Sequence, residues 1–165
     1  MLELLLLRHA KSQRDGSDAN GDHDRDLEPR GLAAAPAMGR FMSGQRLIPD
    51  LALCSTGTRT RRTWDLVAGA IGSKVRTRFL RELYLAAPAQ LLDIVRQQEG
   101  PRKLLLIGHN PGLQDLALAL APSEPPLTAR FPTGALASFA LAGPWAQLGE
   151  AQAELTAYVV PRELP

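Results

Sequence analysis

The chain has 165 residues, 45% apolar and 22% charged, the profile of a single globular domain with room for a real core. Its formal net charge is only +2 and its aromatics are 5%, with no basic run interleaved among them, so nucleic-acid binding is a poor default and any anion preference must be built locally. The single cysteine, Cys54, excludes an internal disulfide and fits a reducing compartment, and no apolar run approaches the ~20 residues of a membrane span.

Residues 2–7 (LELLLL) are too short and too uniformly apolar for an amphipathic helix and predict a strand buried on both faces. The run ends abruptly in Arg8, His9, Ala10 and Lys11. With no basic segment before it and charge directly after it, it makes a poor secretion signal, so a cytoplasmic location is expected. Residues 12–28 form a polar, Gly- and Asp-rich loop long enough to suggest function. Pro29 suits the first turn of a helix reaching about Gly44, with Leu32, Ala35, Met38, Phe41 and Met42 as its inner stripe.

A second buried strand is expected at 51–55, a helix at 58–71 and a shorter, more exposed strand at 75–79. A helix at 88–99, a third buried strand at 103–109 and a helix at 111–120 follow. Residues 135–141 and 154–160 close the chain as a hairpin with an irregular turn around 143–149. The alternation predicts a three-layer α/β/α sandwich over residues 1–165, a mainly parallel central sheet with antiparallel C-terminal strands, and no internal repeat or linker.

In open α/β sheets ligands bind at the carboxyl ends of the strands. His9 and His109 each follow a buried strand, so they share one crevice if those strands are neighbours. Arg8 precedes His9, Arg59 lies one turn beyond the 51–55 strand, and Arg25 sits in the long loop. A guanidinium fork matches phosphate oxygens, and the helix after His109 adds N–H groups at its start, so the set predicts a site for a phosphoryl dianion. Neighbouring guanidiniums disfavour imidazolium and leave a neutral imidazole with a free lone pair, as attack on phosphorus requires.

Other features fit less well. His23, in an acidic loop, is expected to be exposed, and Arg61 and Arg62 to lie on the rim. Cys54 is followed by Arg59 after four residues and Arg61 after six, whereas a cysteine phosphatase loop needs five, so Cys54 reads as a buried strand residue. The two histidines lack a nearby carboxylate or cysteine at metal-ligand spacing, and neither a P-loop nor a G-x-S-x-G elbow occurs.

Four segments in order carry a resemblance. LRHAKS resembles the Arg-His-Gly motif of the histidine phosphatase superfamily, RDLEPRG at 25–31 its Arg-x-Leu-x-x-x-Gly element, STGTRTRRT at 55–63 its Ser-x-x-x-Arg-x-x-x-Thr element, and IGHNP at 107–111 the segment with the second histidine. FPTGALASF at 131–139 is similar to a late segment, and the short chain, Arg-His-Ala and RELY at 81–84 resemble the SixA-type phosphohistidine phosphatase branch.

The resemblance implies a phosphoglycerate mutase-like fold with His9 as a transiently phosphorylated nucleophile. Arg8, Arg59 and His109 would surround the phosphoryl group, with Arg25 and Asn110 in supporting places. Water would release phosphate, with no metal or organic cofactor. Ala10 departs from the commoner glycine, and Glu28 stands where Ser or Thr often caps the next helix.

A phosphate ester needs its leaving oxygen protonated, and Glu82 is the best-placed acid for that. A phosphohistidine relaxes the demand, since imidazole leaves readily and takes its proton from solvent. Six strands and four helices leave few residues for a lid, so the expected pocket is open and the expected substrate a phosphohistidine on a protein, met by a monomer. The alternatives are a broad or small-molecule phosphomonoesterase or mutase, and an inactive phosphate-binding module.

Overall fold

The four consecutive leucines determine where the sheet is deepest. Leu4, Leu5, Leu6 and Leu7 are each fully buried in β1 (Leu2–Arg8), which lies between β4 (Lys103–Gly108), parallel to it, and β5 (Leu136–Leu141), antiparallel to it. Successive side chains of a strand point to opposite faces, so Leu4 and Leu6 enter one core while Leu5 and Leu7 enter the other. Full burial of such a side chain is worth about 1.5–3 kcal/mol, which makes this run the anchor of both cores.

The computed structural model describes residues 1–14 and 21–165, so the middle of the expected 12–28 loop lies outside the described residues. The sheet has six strands in the order β3-β2-β4-β1-β5-β6, with β2 at Leu51–Ser55, β3 at Arg76–Leu80 and β6 at Glu154–Val159. Strands β1 to β4 are mutually parallel, and β5 runs against both of its neighbours. Helices α1 (Pro29–Gly44) and α2 (Thr58–Ile71) cover one face through Met38, Met42, Trp64 and Val67. The other face is covered by α3 (Pro88–Arg96), α4 (Gly112–Leu120) and the short α5 (Pro125–Ala129). This is the three-layer sandwich the alternation predicts.

Two local expectations change. Leu32 is not part of the inner stripe: it is 36% exposed, and the buried face of α1 is Gly31, Ala35, Met38, Gly39 and Met42. Hydrophobicity alone favoured the leucine, but close helix packing selects the glycines. A Cβ on Gly39 would stand 2.5 Å from the Val67 carbonyl oxygen of α2. Helix α5 was not anticipated, because five residues are too few to show a helical period.

Gly31 fixes α1 against the segment that follows β1. A Cβ there would lie 2.2 Å from the Lys11 carbonyl oxygen, which already accepts the Glu28 N–H at 3.0 Å. Gly31→Ala must therefore push α1 away from residues 9–11. The expected cost is about 1–3 kcal/mol in urea denaturation, and an unchanged midpoint would show that the contact yields freely.

Candidate active site

The registers Arg8↔Gly108 and Cys54↔Ile107 place the carboxyl ends of β1, β4 and β2 side by side. His9 and His109 leave the first two of these strands, and their ring centroids lie 5.5 Å apart. The adjacency that the crevice required is present.

The backbone of His9 is fixed from three directions. Its N–H donates to Gly108 O (3.1 Å), its carbonyl accepts Gly134 N–H (2.8 Å), and the next N–H, of Ala10, donates to Thr63 Oγ1 (2.9 Å). The imidazole Nδ1 lies 2.8 Å from the Ala10 carbonyl oxygen. A carbonyl only accepts, so the proton is on Nδ1 and the lone pair on Nε2. Among the described residues Nε2 has no partner, and His9 lines a cavity of about 390 Å³.

His109 is held by the end of β2. Its Nε2 is 2.7 Å from Ser55 Oγ, which also accepts Gly57 N–H at 3.3 Å. The Ser55 hydroxyl can donate its proton to His109 Nε2, an arrangement that puts the imidazole proton on Nδ1. His109 Nδ1, Arg8 Nε and Arg59 Nε are buried with no hydrogen-bond partner among the described residues. All three residues line the cavity. Buried guanidinium N–H groups normally find acceptors, so the two unmet ones of Arg8 and Arg59 beside one cavity suit an anionic occupant.

The remaining polar contacts organise the arginines. Arg8 Nη1 donates to Phe131 O (2.9 Å). Arg59, only 2% exposed, donates to Asp22 O (2.8 Å) and Asp22 Oδ2 (3.1 Å). Arg25 Nε reaches Asp22 Oδ1 at 3.0 Å, and its Nη1 reaches Ser12 Oγ at 3.1 Å. The Tyr84 hydroxyl donates to Asp22 Oδ2, and the Tyr84 ring stands edge-on to His109 with centroids 5.2 Å apart. Burial alone would raise the Asp22 carboxyl, but hydrogen bonds from Tyr84 and Arg59 and the Arg59 charge outweigh it and hold Asp22 at about 2.

Both histidines are neutral near pH 7. Desolvation, followed by the nearby His109, Arg59 and Arg8, lowers His9 to about 3 against the pull of its Ala10 hydrogen bond. Desolvation, then Arg59 and Arg8, lowers His109 to about 3, with Asp22 opposing. The Cys54 thiol is pushed up by burial and is no nucleophile.

The structure brings His9, Arg8, Arg59 and His109 to one cavity, and Arg25 and Asn110 line it too. Asn110 Nδ2 is engaged with Phe131 O (3.0 Å) and its Oδ1 with Gln114 N–H (3.3 Å). Glu82 stays outside: it is exposed on the 3-10 turn Arg81–Leu83, while Leu85 of the same segment lines the cavity. Arg61 and Arg62 are exposed. His23, expected to be exposed, is half-buried, with Nε2 2.9 Å from Thr56 Oγ1 and its ring against Tyr84. Sequence reasoning missed Asp22, Tyr84, Ser55 and Thr63. The last two carried a signal, since both sit in STGTRTRRT. Among the described residues no three His, Cys, Asp or Glu side chains gather as metal ligands, and no helix is long and apolar enough to cross a membrane.

The family pattern of the histidine phosphatase superfamily (branch 1) matches residues 4–112. The chain belongs to that superfamily. An uncharacterised protein of Mycobacterium tuberculosis is 34% identical over 164 residues, covering 94% of this chain and all of its own. The crystal structure of a candidate phosphohistidine phosphatase SixA from Agrobacterium tumefaciens superposes with a TM-score of 0.84 at 27% identity, covering 97% of this chain and 98% of its own. A SixA candidate from Nakamurella multipartitia gives 0.83 at 32% identity, covering 97% and 96%. These neighbours make the chain a SixA-type member of the histidine phosphatase superfamily, with the phosphoglycerate mutase-like α/β fold.

The lowered histidines predict a pH signature. An unfolded histidine titrates near about 6.5. As pH falls from there towards 3, the unfolded chain takes up protons that folded His9 and His109 refuse, so stability is lost on acidification. In proton NMR the His9 and His109 Cε1–H resonances should stay level from pH 8 to 5. A midpoint near 6.5 for either would contradict the assignment.

Proposed function

We propose that this superfamily member is a phosphatase that works through a phosphorylated His9 and takes its phosphoryl group from a phosphohistidine on a protein. The observation carrying the reading is the Nε2 lone pair of His9, free of partners among the described residues, in a cavity with unmet guanidinium donors on Arg8 and Arg59 and an unpartnered Nδ1 on His109. In the first step a bond forms from His9 Nε2 to phosphorus as the substrate's own P–N bond breaks. The leaving imidazole nitrogen takes a proton from solvent. Water then attacks phosphorus, the His9 N–P bond breaks, and phosphate leaves with His9 neutral again. Arg8 and Arg59 stabilise the charge on the transferring oxygens.

The choice of phosphohistidine rests on the acids. Asp22 is the one carboxylate among the described cavity residues, and three donors hold it ionised. Glu82 is outside. With no carboxylic acid among the described residues ready to protonate an ester oxygen, a nitrogen leaving group is favoured. The proposed path uses no metal or organic cofactor.

Incubation with ³²P-labelled phosphohistidine protein, followed by quenching, should trap an acid-labile, alkali-stable phosphoenzyme that His9→Ala lacks. Arg59→Ala should reduce kcat by about 10²–10³-fold. A labelled His9→Ala protein would overturn the nucleophile, and faster turnover of phosphoserine peptides or sugar phosphates would overturn the substrate class. Absence of any phosphate release would leave a binding module.

A further inference from the structure

The catalytic cavity does not end at its rim. A second groove of about 390 Å³ shares Lys11 and Thr133 with it and runs between the outer side of α1 and the C-terminal turn. Its floor is Ala33, Ala34 and Ala37, whose small side chains leave the depression. Four cations border it, each from a different part of the chain: Lys11 after β1, Arg30 in α1, Arg130 after α5 and Arg162 near the C-terminus.

Among the described residues no Asp or Glu side chain lines the groove, although Glu28 and Glu163 are close in sequence to Arg30 and Arg162. Among the described residues none of the four cations forms a salt bridge. Arg30, Arg130 and Arg162 are all exposed. Like charges brought together repel, so a patch of this kind is complementary to an anionic partner. Apart from Thr133 the rest of the wall is Pro132, Val160, Pro161, Leu164 and Pro165, and among the described residues it holds no aromatic ring on which a nucleic-acid base would stack.

We propose that this groove binds an acidic segment of polypeptide in the substrate protein, flanking the phosphorylated side chain that enters the catalytic cavity. The proposal deepens the phosphatase reading and rests on it. Charge complementarity selects the acidic residues, the alanine and proline surface accommodates small apolar side chains between them, and the shared Lys11–Thr133 rim joins the two binding events in one substrate.

Two phosphohistidine peptides of equal length, one flanked by Asp and Glu and the other by Asn and Gln, test it with phosphoramidate as the small control. The wild-type protein should show kcat/KM about tenfold higher for the acidic peptide, the combined effect of several exposed ion pairs. R30A/R130A/R162A should abolish that preference and leave phosphoramidate turnover unchanged. Equal kcat/KM for the two peptides, or a preference surviving in the triple variant, would overturn the proposal. Should no substrate be turned over, the phosphatase reading fails by itself. Fluorescence anisotropy with the unphosphorylated acidic peptide then decides the groove: binding about tenfold weaker in the triple variant supports it. No binding to wild type, or tighter binding of a single-stranded oligonucleotide, overturns it.

Discussion

The site depends on the parallel pairing of β1 with β4. That ladder aligns Arg8 with Gly108, so the residues that follow each strand emerge together at one sheet edge. The hydrogen bond from His9 N–H to Gly108 O extends this pairing past the last strand residue, and Gly134 N–H to His9 O does the same on the β5 side. Leucines on both faces of β1 lock the strand against sliding. A slip of one residue would reverse every side chain and send Arg8 into an apolar layer. The histidine is therefore placed by main-chain geometry, and its ring is turned by a main-chain carbonyl.

Electrostatics then follow from placement. Burial and the surrounding guanidiniums keep both imidazoles neutral, although positive charge dominates the cavity. Asp22 offsets part of that charge by holding Arg59 and Arg25 at once, with Tyr84 as a third donor. In the proposed mechanism a phosphoryl dianion would compete with the Asp22 carboxylate for Arg59. The same competition would disfavour weakly charged ligands, because a neutral group cannot replace a carboxylate on a guanidinium. Cations bordering the neighbouring groove extend this positive surface along α1.

Much of this was legible because the strongest sequence signals are also the strongest physical constraints. Unbroken leucine runs cannot be solvent-exposed, so the buried strands and the placing of His9 and His109 at their ends could be read directly, while the β1–β4 pairing that joins them is seen only in the fold. Gly31, noted only as a motif glycine, proves to be a point of backbone contact with Lys11. What was not legible lies in segments without a period. Asp22 sits in a loop whose acids look interchangeable until folding brings one of them to Arg59. In RELY the choice fell on Glu82 for its chemistry, but on a 3-10 turn neighbouring residues diverge, leaving Glu82 exposed and Tyr84 against His109. Leu32 failed for a related reason: close packing of α1 on α2 favours Gly39 over bulk.

The proposed chemistry requires the paired strand ends to aim a neutral His9 Nε2 at a phosphoryl group ringed by Arg8, Arg59 and His109. A crystal structure with orthovanadate decides this. Vanadium should be bonded to His9 Nε2, with its oxygens accepting from Arg8, Arg59 and His109 and the Asp22 carboxylate moved off Arg59. Vanadate bound away from His9, or bound in the cavity with Nε2 unbonded, would contradict it.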